Sequence, residues 1–382
     1  MSFGRRPLVM IVGAFPPSSN EVFGGMVTSC RALVRSSLPQ ALDLDLLDST
    51  QISNPPPGFF VRLVLAAHRL GTYLARMHRR RHDAVILFTA LGASVVEKGA
   101  MAWIARLYGA KALMFPRGGM LIDKCRQSVG TRFWTRFLFS GARMVLCQGP
   151  AWQKFAVEVL GFSRENSPVI ENWTATQELL AIGHAREGCV VEPSRLLFVG
   201  WLDRAKGVME LLSACRQIAA TQRISLTFVG EGNMSQAARD YVRDEKMSEI
   251  VSFRGWLSAG ELHDEYAKAD IFVLPSWAEG LPNAMIEAMA AKLAIVVSSV
   301  GAVPDVIEHG SNGLLVAPRD VVGLRDALSN LVADIGLRDK LGQAAFESAW
   351  KRFGVDRAVA EIVAAVAAAT SQEPRLSRSG PD

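Results

Sequence analysis

The amino-acid sequence predicts an α/β protein of two doubly wound domains that face each other across a cleft. Short apolar runs alternate with helical patterns along the chain, which is typical of parallel sheets covered by helices. The alternation stops in a polar stretch between Thr174 and Pro193 and then begins again. A chain of 382 residues is also too long for one ordinary core. Ligands of such sheets bind at the carboxyl ends of the strands, so a site is expected in the cleft.

Residues 1–184 form the predicted N-terminal domain. Nearly continuous apolar runs are typical of parallel strands buried on both faces. The predicted strands are Leu8–Val12, Leu42–Leu47, Ala84–Phe88, Ala112–Phe115, Met144–Cys147 and Val169–Ile170. Apolar residues at helical spacing predict helices over Met26–Ser36, Val61–Arg81, Glu97–Tyr108 and Thr131–Phe139.

Residues 185–194 are the predicted linker, and residues 195–351 form the second domain. Its predicted strands are Leu196–Val199, Ser225–Val229, Val251–Arg254, Ile271–Leu274, Ala294–Ser298 and Leu314–Val316. Its predicted helices are Val208–Ala219, Met234–Glu245, Ala259–Lys268, Asn283–Ala291 and Val321–Leu331. A helix near 352–368 is expected to pack back on the N-terminal domain. The polar residues 372–382 are expected to be disordered.

Composition argues against membrane-spanning and disulfide-rich classes. No apolar run approaches the roughly 20 residues that a spanning helix needs. The apolar run from Leu8 is interpreted as a strand rather than a signal peptide, because Pro16 and Pro17 follow it. The five cysteines are scattered, without a C-x-x-C pair, which excludes a zinc knuckle and favours a reducing cytosol.

Positive charge is concentrated in the first part of the chain. Residues 1–150 carry a net charge of +12, whereas the whole chain carries +5. The densest segment is Val61–His82, where arginines at helical spacing accompany apolar residues: Arg62, Arg69, Arg76 and Arg80. This pattern fits a helix that lies on an anionic membrane surface, and equally a solvated helix face. Nucleic acid is not expected as a partner, because no motif that reads DNA or RNA is present.

Two glutamates follow the strand Ile271–Leu274. Glu279 lies in a loop beside Gly280, and Glu287 lies in the helix that begins near Pro282. The first amides of such a helix suit a phosphate, and the carboxylates can accept hydrogen bonds from sugar hydroxyls. In the alternative interpretation Glu279 only complements the helix dipole and Glu287 faces solvent.

This E-x7-E pattern and its surroundings resemble the retaining family 4 glycosyltransferases. The resemblance covers nearly the whole chain and is most specific in the second half. The matching segments are Phe15–Pro17 with Gly24–Met26, Phe198–Gly207, Phe228–Gly232, Val251–Trp256, Tyr266–Asp270, Ile271–Glu287, Val300–Ile307 and Asn312–Val316. The resemblance implies the GT-B architecture, in which an N-terminal Rossmann-like domain binds the acceptor and a C-terminal one binds the nucleotide sugar.

The resemblance also implies residue roles. Glu287 would hold the ribose of a nucleotide diphosphate, and Glu279 would hold a hydroxyl of the donor sugar. Lys206 would neutralise the leaving diphosphate, unless it is merely an exposed surface charge. The other implied donor contacts are Gly24, Gly25, Arg204, Gly230, Glu231, Trp256, Gly280, Leu281, Pro282 and Asn283. The catalytic candidates are Glu279, Lys206 and Arg117.

Two positions depart from the family pattern. Trp201 replaces an arginine of the diphosphate loop, so that contact is missing or supplied by Arg204. Arg117 stands where many members have a histidine, and it either clamps a phosphate or has a structural role. Asp43 and Asp45 form a D-x-D sequence, but inside a predicted strand, where a metal-binding loop is not expected. Neither a metal nor a cofactor is expected.

The predicted function is therefore retaining transfer of a sugar from a nucleotide diphosphate to an acceptor. We expect a lipid-linked glycan acceptor in cell-surface polysaccharide or lipopolysaccharide synthesis. The expected location is the cytoplasm or the inner face of the plasma membrane. The alternatives are another GT-B enzyme, such as a nucleotide-sugar epimerase or a phosphorylase, and a non-catalytic donor-binding partner of an active transferase.

Overall fold

Two parallel β-sheets organise the chain in a computed structural model that describes residues 5–16, 24–50, 58–90, 92–117, 120–186 and 192–371. The strands are β1 (Leu8–Gly13), β2 (Asp43–Asp48), β3 (Ala84–Thr89), β4 (Lys111–Pro116), β5 (Met144–Val145), β6 (Ser194–Val199), β7 (Ile224–Val229), β8 (Val251–Phe253), β9 (Ile271–Leu274), β10 (Ala294–Ser298) and β11 (Leu314–Val316). The first sheet has the order β2-β1-β3-β4-β5, and the second has the order β11-β10-β9-β6-β7-β8. All strand pairs described are parallel, so the predicted α/β class is confirmed.

Helices connect the strands. In the first part of the chain they are α1 (Gly25–Arg35), α2 (Leu38–Ala41), α3 (Phe59–Arg79), α4 (Ala93–Leu107), α5 (Met120–Gln127), α6 (Val129–Phe139), α7 (Pro150–Phe155) and α8 (Gln177–Ala185). Those that follow are α9 (Val208–Ile218), α10 (Ser235–Asp244), α11 (Ala259–Lys268), α12 (Asn283–Ala290), α13 (Val321–Ala333), α14 (Ile335–Arg352) and α15 (Val355–Thr370). None of the helices described is both long and apolar enough to cross a membrane.

The first sheet is buried on both faces because the side chains of its strands alternate between two cores. Met10 and Val12 of β1 join a core with α3, α4 and α6. Val9 and Ile11 point the other way and join a core with α1 and α15. Helices therefore cover both faces of this sheet, as its uninterrupted apolar runs predict.

The chain joins the core of the second domain earlier than predicted. Ala175, Leu179 and Leu180 pack with the second sheet, so the assignment of residues 1–184 to the N-terminal domain is wrong near its end. Ser194, placed in the predicted linker 185–194, already pairs in β6. The domain boundary lies before α8 because the apolar side chains of this helix are buried in the second domain. The polar residues and glycines of this stretch instead predict a linker. Residues 187–191 and the predicted disordered tail 372–382 lie outside the described residues.

The chain returns to the N-terminal core at its end. Ala358, Val359 and Ile362 of α15 pack with β1, β3 and β4. Beside this return, Ala175 pairs with Gly354, so the two crossings between the cores lie next to each other. The helix expected near 352–368 is thus observed over Val355–Thr370 and contacts the first sheet.

Helix α3 matches the predicted basic helix, but its arginines do not share one environment. Arg69 donates to Glu97 at 2.7 Å, and Arg76 donates to Asp45 at 2.6 Å. Arg62 and Arg80 are exposed. Acids of the same domain therefore bind Arg69 and Arg76, and the membrane-surface interpretation of this helix stays a prediction.

Candidate active site

A cavity of about 350 Å³ lies between the two sheets, at the carboxyl ends of their strands. Val199, Val229 and Leu274, the last residues of β6, β7 and β9, line it from one side. Arg117, which follows β4, and Gly25, which begins α1, line it from the other side. The sequence-predicted residues in its wall are Gly24, Gly25, Arg117, Lys206, Trp256, Glu279, Gly280, Leu281, Pro282, Asn283 and Glu287.

The loop that carries Glu279 is shaped by two glycines in the left-handed region. A Cβ on Gly207 (φ 72°) would lie 2.1 Å from the Pro275 carbonyl oxygen. A Cβ on Gly301 (φ 56°) would lie 2.1 Å from the Glu279 carbonyl oxygen. Any side chain at these positions would displace the loop, so both glycines serve close backbone packing.

Glu279 is held in an ion pair across this loop. Lys206 Nζ lies 2.5 Å from Glu279 Oε1, and Ser276 Oγ donates to the same oxygen at 2.7 Å. The Lys206 side chain is 25% exposed and the Glu279 side chain 10%. Lys206 is therefore not the exposed surface charge of the alternative interpretation. This ion pair forms a half-buried, charged part of the cavity wall.

Glu287 is buried rather than solvent-facing, so the alternative interpretation of this residue is wrong. Only 7% of the residue is exposed, and Tyr266 Oη donates to its Oε2 at 2.9 Å. Burial raises the pKa of Glu287 to about 7, although the Tyr266 hydrogen bond acts in the opposite direction. This carboxyl can therefore change its charge near neutral pH.

Among the described residues that line the wall from the first domain, Arg117 provides the guanidinium. Its Nη2 donates to Ser29 Oγ at 3.2 Å. Its Cζ lies 4.6 Å from the centre of the Trp173 ring and 5.1 Å from that of Phe115. Burial lowers the pKa of Arg117 to about 10, which leaves the group charged at neutral pH. The side chain is thus fixed and cationic.

Hydrogen bonds join the two walls of the cavity. Asn283 Nδ2 donates to the Gly25 carbonyl oxygen at 2.7 Å and to Ser29 Oγ at 2.9 Å. Asn172 Nδ2 donates to Asn283 Oδ1 at 2.8 Å and to the Leu281 carbonyl oxygen at 3.0 Å. Gln148 Nε2 donates in turn to Asn172 Oδ1 at 2.9 Å. The side chain of Asn283 therefore bridges the two walls, in addition to any ligand contact made by its backbone.

The residues that sequence reasoning missed hold the predicted ones in place. They are Ser29, Gln148, Asn172, Tyr266 and Ser276. Tyr266 and Ser276 stand in segments that the resemblance includes, but their polar partners are not visible in the sequence. The other three come from segments without a motif, so no sequence signal singles them out.

Three predicted donor residues do not line the cavity. Arg204 lies over the Trp277 ring, with its Cζ 5.5 Å from the ring centre. Glu231 pairs with Arg239 at 3.0 Å. Gly230 permits close backbone packing, because a Cβ there would lie 2.0 Å from the Gly200 carbonyl oxygen. Local packing and a surface ion pair thus account for these residues.

Trp201 occupies the cavity wall where the family pattern has an arginine. Its ring packs edge to face on Trp256, with the ring centres 4.7 Å apart. Because Arg204 points elsewhere, it does not replace the missing arginine in this structure. The loop Phe198–Gly207 therefore presents Lys206 to the cavity together with an apolar ring.

The D-x-D sequence lies in β2, as predicted. Asp45 binds Arg76 and lies 2.9 Å from His82 Nε2, and the His82 contact contributes most to lowering its pKa. Asp43 pairs with Arg6 at 3.8 Å. Within the described ranges, no group of three or more His, Cys, Asp or Glu is arranged to hold a metal ion.

A second cavity, of about 340 Å³, lies at the other end of the second sheet, near the start of β6 and β9. Arg186 donates there to four backbone carbonyl oxygens, those of Tyr266, Ala267, Ala269 and Ala291. Arg195 pairs with Asp270 at 2.8 Å. These charges already serve the fold, which favours the cleft between the sheets as the functional site.

Comparison with solved structures defines the class of the fold. Sucrose-phosphate synthase from Thermosynechococcus elongatus superposes with a TM-score of 0.72 at 19% identity, over 94% of this chain and 97% of that one. HepE of Anabaena, solved with UDP and glucose, gives 0.69 at 16% identity, over 95% of this chain and all of that one. The architecture is therefore that of the GT-B glycosyltransferases.

Sequence comparison defines the family. Residues 193–334 match the profile described as Glycosyl transferases group 1. Alpha-maltose-1-phosphate synthase of Mycobacterium tuberculosis is 32% identical over 88% of this chain and 92% of its own length. Several other curated relatives match over less than half of their own length. The chain belongs to the group 1 glycosyltransferases.

Proposed function

We propose that this protein is a retaining glycosyltransferase that moves a sugar from a nucleotide diphosphate to an acceptor hydroxyl. The observation that carries the proposal is the grouping of Lys206, Glu279 and Glu287 around one interdomain cavity. The family supports it, as does the fold shared with HepE, which was solved with UDP and glucose. Nucleotide diphosphate sugar is the proposed co-substrate, and no metal or other cofactor takes part in the proposal.

The proposed donor lies along the wall formed by the second domain. Glu287 accepts hydrogen bonds from the ribose hydroxyls, which favours its ionised form. The amides at the start of α12, near Asn283, face the diphosphate, where the helix dipole also favours negative charge. Glu279 accepts a hydrogen bond from a hydroxyl of the sugar, while Lys206 remains beside it.

The proposed reaction exchanges one C–O bond for another on the same face of the sugar. The bond between the anomeric carbon and the phosphate oxygen breaks, and a bond to the acceptor oxygen forms. The acceptor proton passes to the leaving phosphate. Lys206 stabilises the negative charge that develops on this phosphate. Such electrostatic stabilisation by a fixed cation is stronger where water is excluded.

The proposed acceptor is a lipid-linked glycan, bound where the N-terminal domain meets the cytoplasmic face of a membrane. Helices α3, α4 and α6 pack on one face of the first sheet. On α6, Phe133 and Trp134 are 66% and 61% exposed, and the exposed Arg132 and Arg136 lie on either side of them in the sequence. Aromatic and cationic side chains together suit an anionic bilayer surface.

Acceptor-dependent turnover tests the transfer reaction. The protein is first screened by thermal shift against nucleotide sugars, because a bound donor raises the unfolding temperature by mass action. Release of the nucleoside diphosphate is then measured with and without an acceptor glycan. Release that requires an acceptor supports transfer. An altered sugar without diphosphate release would instead identify an epimerase, and no stabilisation by any nucleotide sugar would refute the proposal.

Vesicle flotation tests the membrane part separately. We expect flotation with anionic vesicles at low salt and loss of flotation as the salt concentration rises. Trp134→Ser should weaken it, whereas Trp350→Ser, at a 57% exposed tryptophan of α14, should not. Equal behaviour of the two variants, or no flotation of the wild type, would argue for a soluble acceptor.

A further inference from the structure

The Arg117 guanidinium has no anionic partner within the described part of the chain. Its Nη2 binds the neutral Ser29 hydroxyl, and its buried Nη1 has no hydrogen-bond partner there. The ionisable group that affects it is the Cys30 thiol. Burial raises the pKa of Cys30 to about 11, so this thiol is neutral at physiological pH. The positive charge is therefore not compensated locally.

Other half-buried arginines of the chain have carboxylate partners that compensate their positive charge. Arg69 binds both carboxylate oxygens of Glu97, at 2.7 and 3.2 Å. Arg195 binds both oxygens of Asp270, at 3.0 and 2.8 Å. A cation removed from water without such a partner is costly. Ionisable groups in such perturbed environments are concentrated at functional sites.

The surroundings of Arg117 fix its position without neutralising it. The rings of Phe115 and Trp173 support its guanidinium. Ser29 Oγ accepts hydrogen bonds from both Arg117 and Asn283, so the guanidinium lies close to the start of α12. The planar group is thus held in the cavity wall, and planar guanidinium groups bind carboxylates and phosphates through two parallel hydrogen bonds.

The position of this wall indicates which part of a substrate it meets. The strand ends of the second sheet and Glu287 line the side proposed for the nucleotide, and Lys206 already provides a cation there. Arg117 follows β4 in the first sheet, on the opposite side of the cavity. A group bound by Arg117 on this side belongs to the sugar end of the donor or to the acceptor, unless the guanidinium reaches the diphosphate at the start of α12, which the affinity of Arg117→Met for UDP alone distinguishes.

We propose that Arg117 is a specificity-determining residue that binds an anionic group, a carboxylate or a phosphate, on the transferred or the accepting sugar. This inference rests on the proposed transfer function and narrows its substrate class to acidic sugars. The anion would complete the charge pairing of the guanidinium and would bind beside the Ser29–Asn283 contact, where the two domains meet.

Matched nucleotide sugars test the donor side of this inference. UDP-glucose and UDP-glucuronate differ only by a hydroxymethyl group and a carboxylate, and the corresponding GDP and galactose pairs extend the set. Titration calorimetry with the full chain should show the acidic member binding about tenfold tighter. Arg117→Met should abolish this preference and leave the affinity for UDP or GDP alone unchanged. Arg117→Lys, which keeps the positive charge but not the planar group with two parallel donors, should keep part of the preference for the acidic sugar.

Paired acceptors with and without an anionic group test whether the group bound by Arg117 belongs to the acceptor rather than to the donor. If paired donors bind equally to the wild type, rates are compared for acceptor glycosides with and without a phosphate or carboxylate. A preference in kcat/KM for the acidic acceptor that Arg117→Met removes supports the inference. The temperature of unfolding of both variants shows whether they remain folded, and Arg117→Lys alone decides the matter if Arg117→Met does not fold.

Three results would overturn the inference. Equal weakening of UDP and of all nucleotide sugars by Arg117→Met would place the guanidinium on the diphosphate. No selectivity for acidic sugars in either donor or acceptor would make it a packing residue. Failure of the wild type to bind any nucleotide sugar would refute the transfer function itself, and this inference with it.

Discussion

The charged side chains of the two cleft walls differ in whether they have partners within the protein. On the second domain, Lys206 is paired with Glu279, and Glu287 is hydrogen-bonded to Tyr266. On the first domain, Arg117 has a hydroxyl and two aromatic rings as its neighbours, but no acid among the residues described. The first arrangement is preorganised, so its groups need little rearrangement when a ligand arrives. In the inference proposed above, an anionic ligand completes the second. The comparison suggests that the second domain provides a general donor site and the first provides selectivity.

The largest effect is expected from Lys206→Met, which removes the cation from the preorganised wall. We expect kcat to fall by about 10²- to 10³-fold, because the developing charge on the leaving phosphate loses its stabilisation. Initial rates of nucleoside diphosphate release measure this change. Arg204→Met is the matched control, since Arg204 is exposed and stacks on Trp277 outside the cavity. Similar losses in both variants would show that Lys206 has no special role.

Glu287→Gln tests whether this wall also contains a buried titrating group. The pKa of Glu287 is raised from 4.5 to about 7, so the folded protein binds its proton more tightly than the unfolded chain does. The free energy of unfolding should therefore fall as pH rises from about 4.5 to about 7, by roughly 3 kcal/mol at most. Glutamine removes this component, so the variant should gain stability over the wild type at pH 8 and little at pH 5.

Urea unfolding of the wild type and Glu287→Gln at both pH values measures the difference. Glu231→Gln, at a carboxylate whose side chain is 39% exposed, is the control and should leave the pH dependence unchanged. Identical pH profiles for the wild type and Glu287→Gln would contradict the assignment of a raised pKa.

Asn283→Ala is expected to loosen the contact between the walls. It removes hydrogen bonds to Gly25, Ser29 and Asn172, with an expected loss of about 1–3 kcal/mol. Small-angle X-ray scattering should show a larger radius of gyration, since the domains separate more often. Asn233→Ala, at an exposed position, should leave the radius unchanged. A compact Asn283→Ala protein would mean that other contacts hold the cleft closed.

The smallest effect is expected from Glu231→Gln on donor binding. The sequence motif assigns Glu231 to the donor site, but in the structure it pairs with Arg239 outside the cavity. An exposed pair of this kind contributes about 0–1 kcal/mol to stability, and the affinity for nucleotide sugars should not change measurably. A clear loss of affinity in titration calorimetry would show that the donor extends beyond the cavity wall.

The strands were predictable because burial on both faces leaves an uninterrupted apolar run. The strand Ile271–Leu274 is confirmed with its predicted bounds, and the first strand, predicted as Leu8–Val12, is confirmed and ends one residue later, at Gly13. The helices α2, α5, α7, α8 and α14 were not predicted from the sequence. In α8, Gly183 counts toward a linker, yet it permits the crossing of α8 and α12. A Cβ there would lie 2.4 Å from the Ala290 carbonyl oxygen, and such a long-range contact is not visible in local composition.

The site was predictable where its residues stand close together in sequence. The segment from Glu279 to Glu287 lines the cavity as the motif predicts. Its supports come from elsewhere: Lys206 is 73 positions from Glu279, and Asn172 is 111 positions from Asn283. Arg117 was singled out by its departure from a family pattern, but its lack of an acidic partner is a property of the folded environment.

Helix α15 has a consequence for the order in which this protein can fold during synthesis. The apolar side chains of Val355–Thr370 complete one core of the first sheet, although they are translated after the whole second domain. The part of this face that α15 covers therefore stays exposed while the ribosome makes the rest of the chain, although α1 is already available to pack beside it. The domain that emerges first is complete only after the other has emerged, so a nascent chain that stops before residue 355 exposes apolar surface to chaperones and proteases.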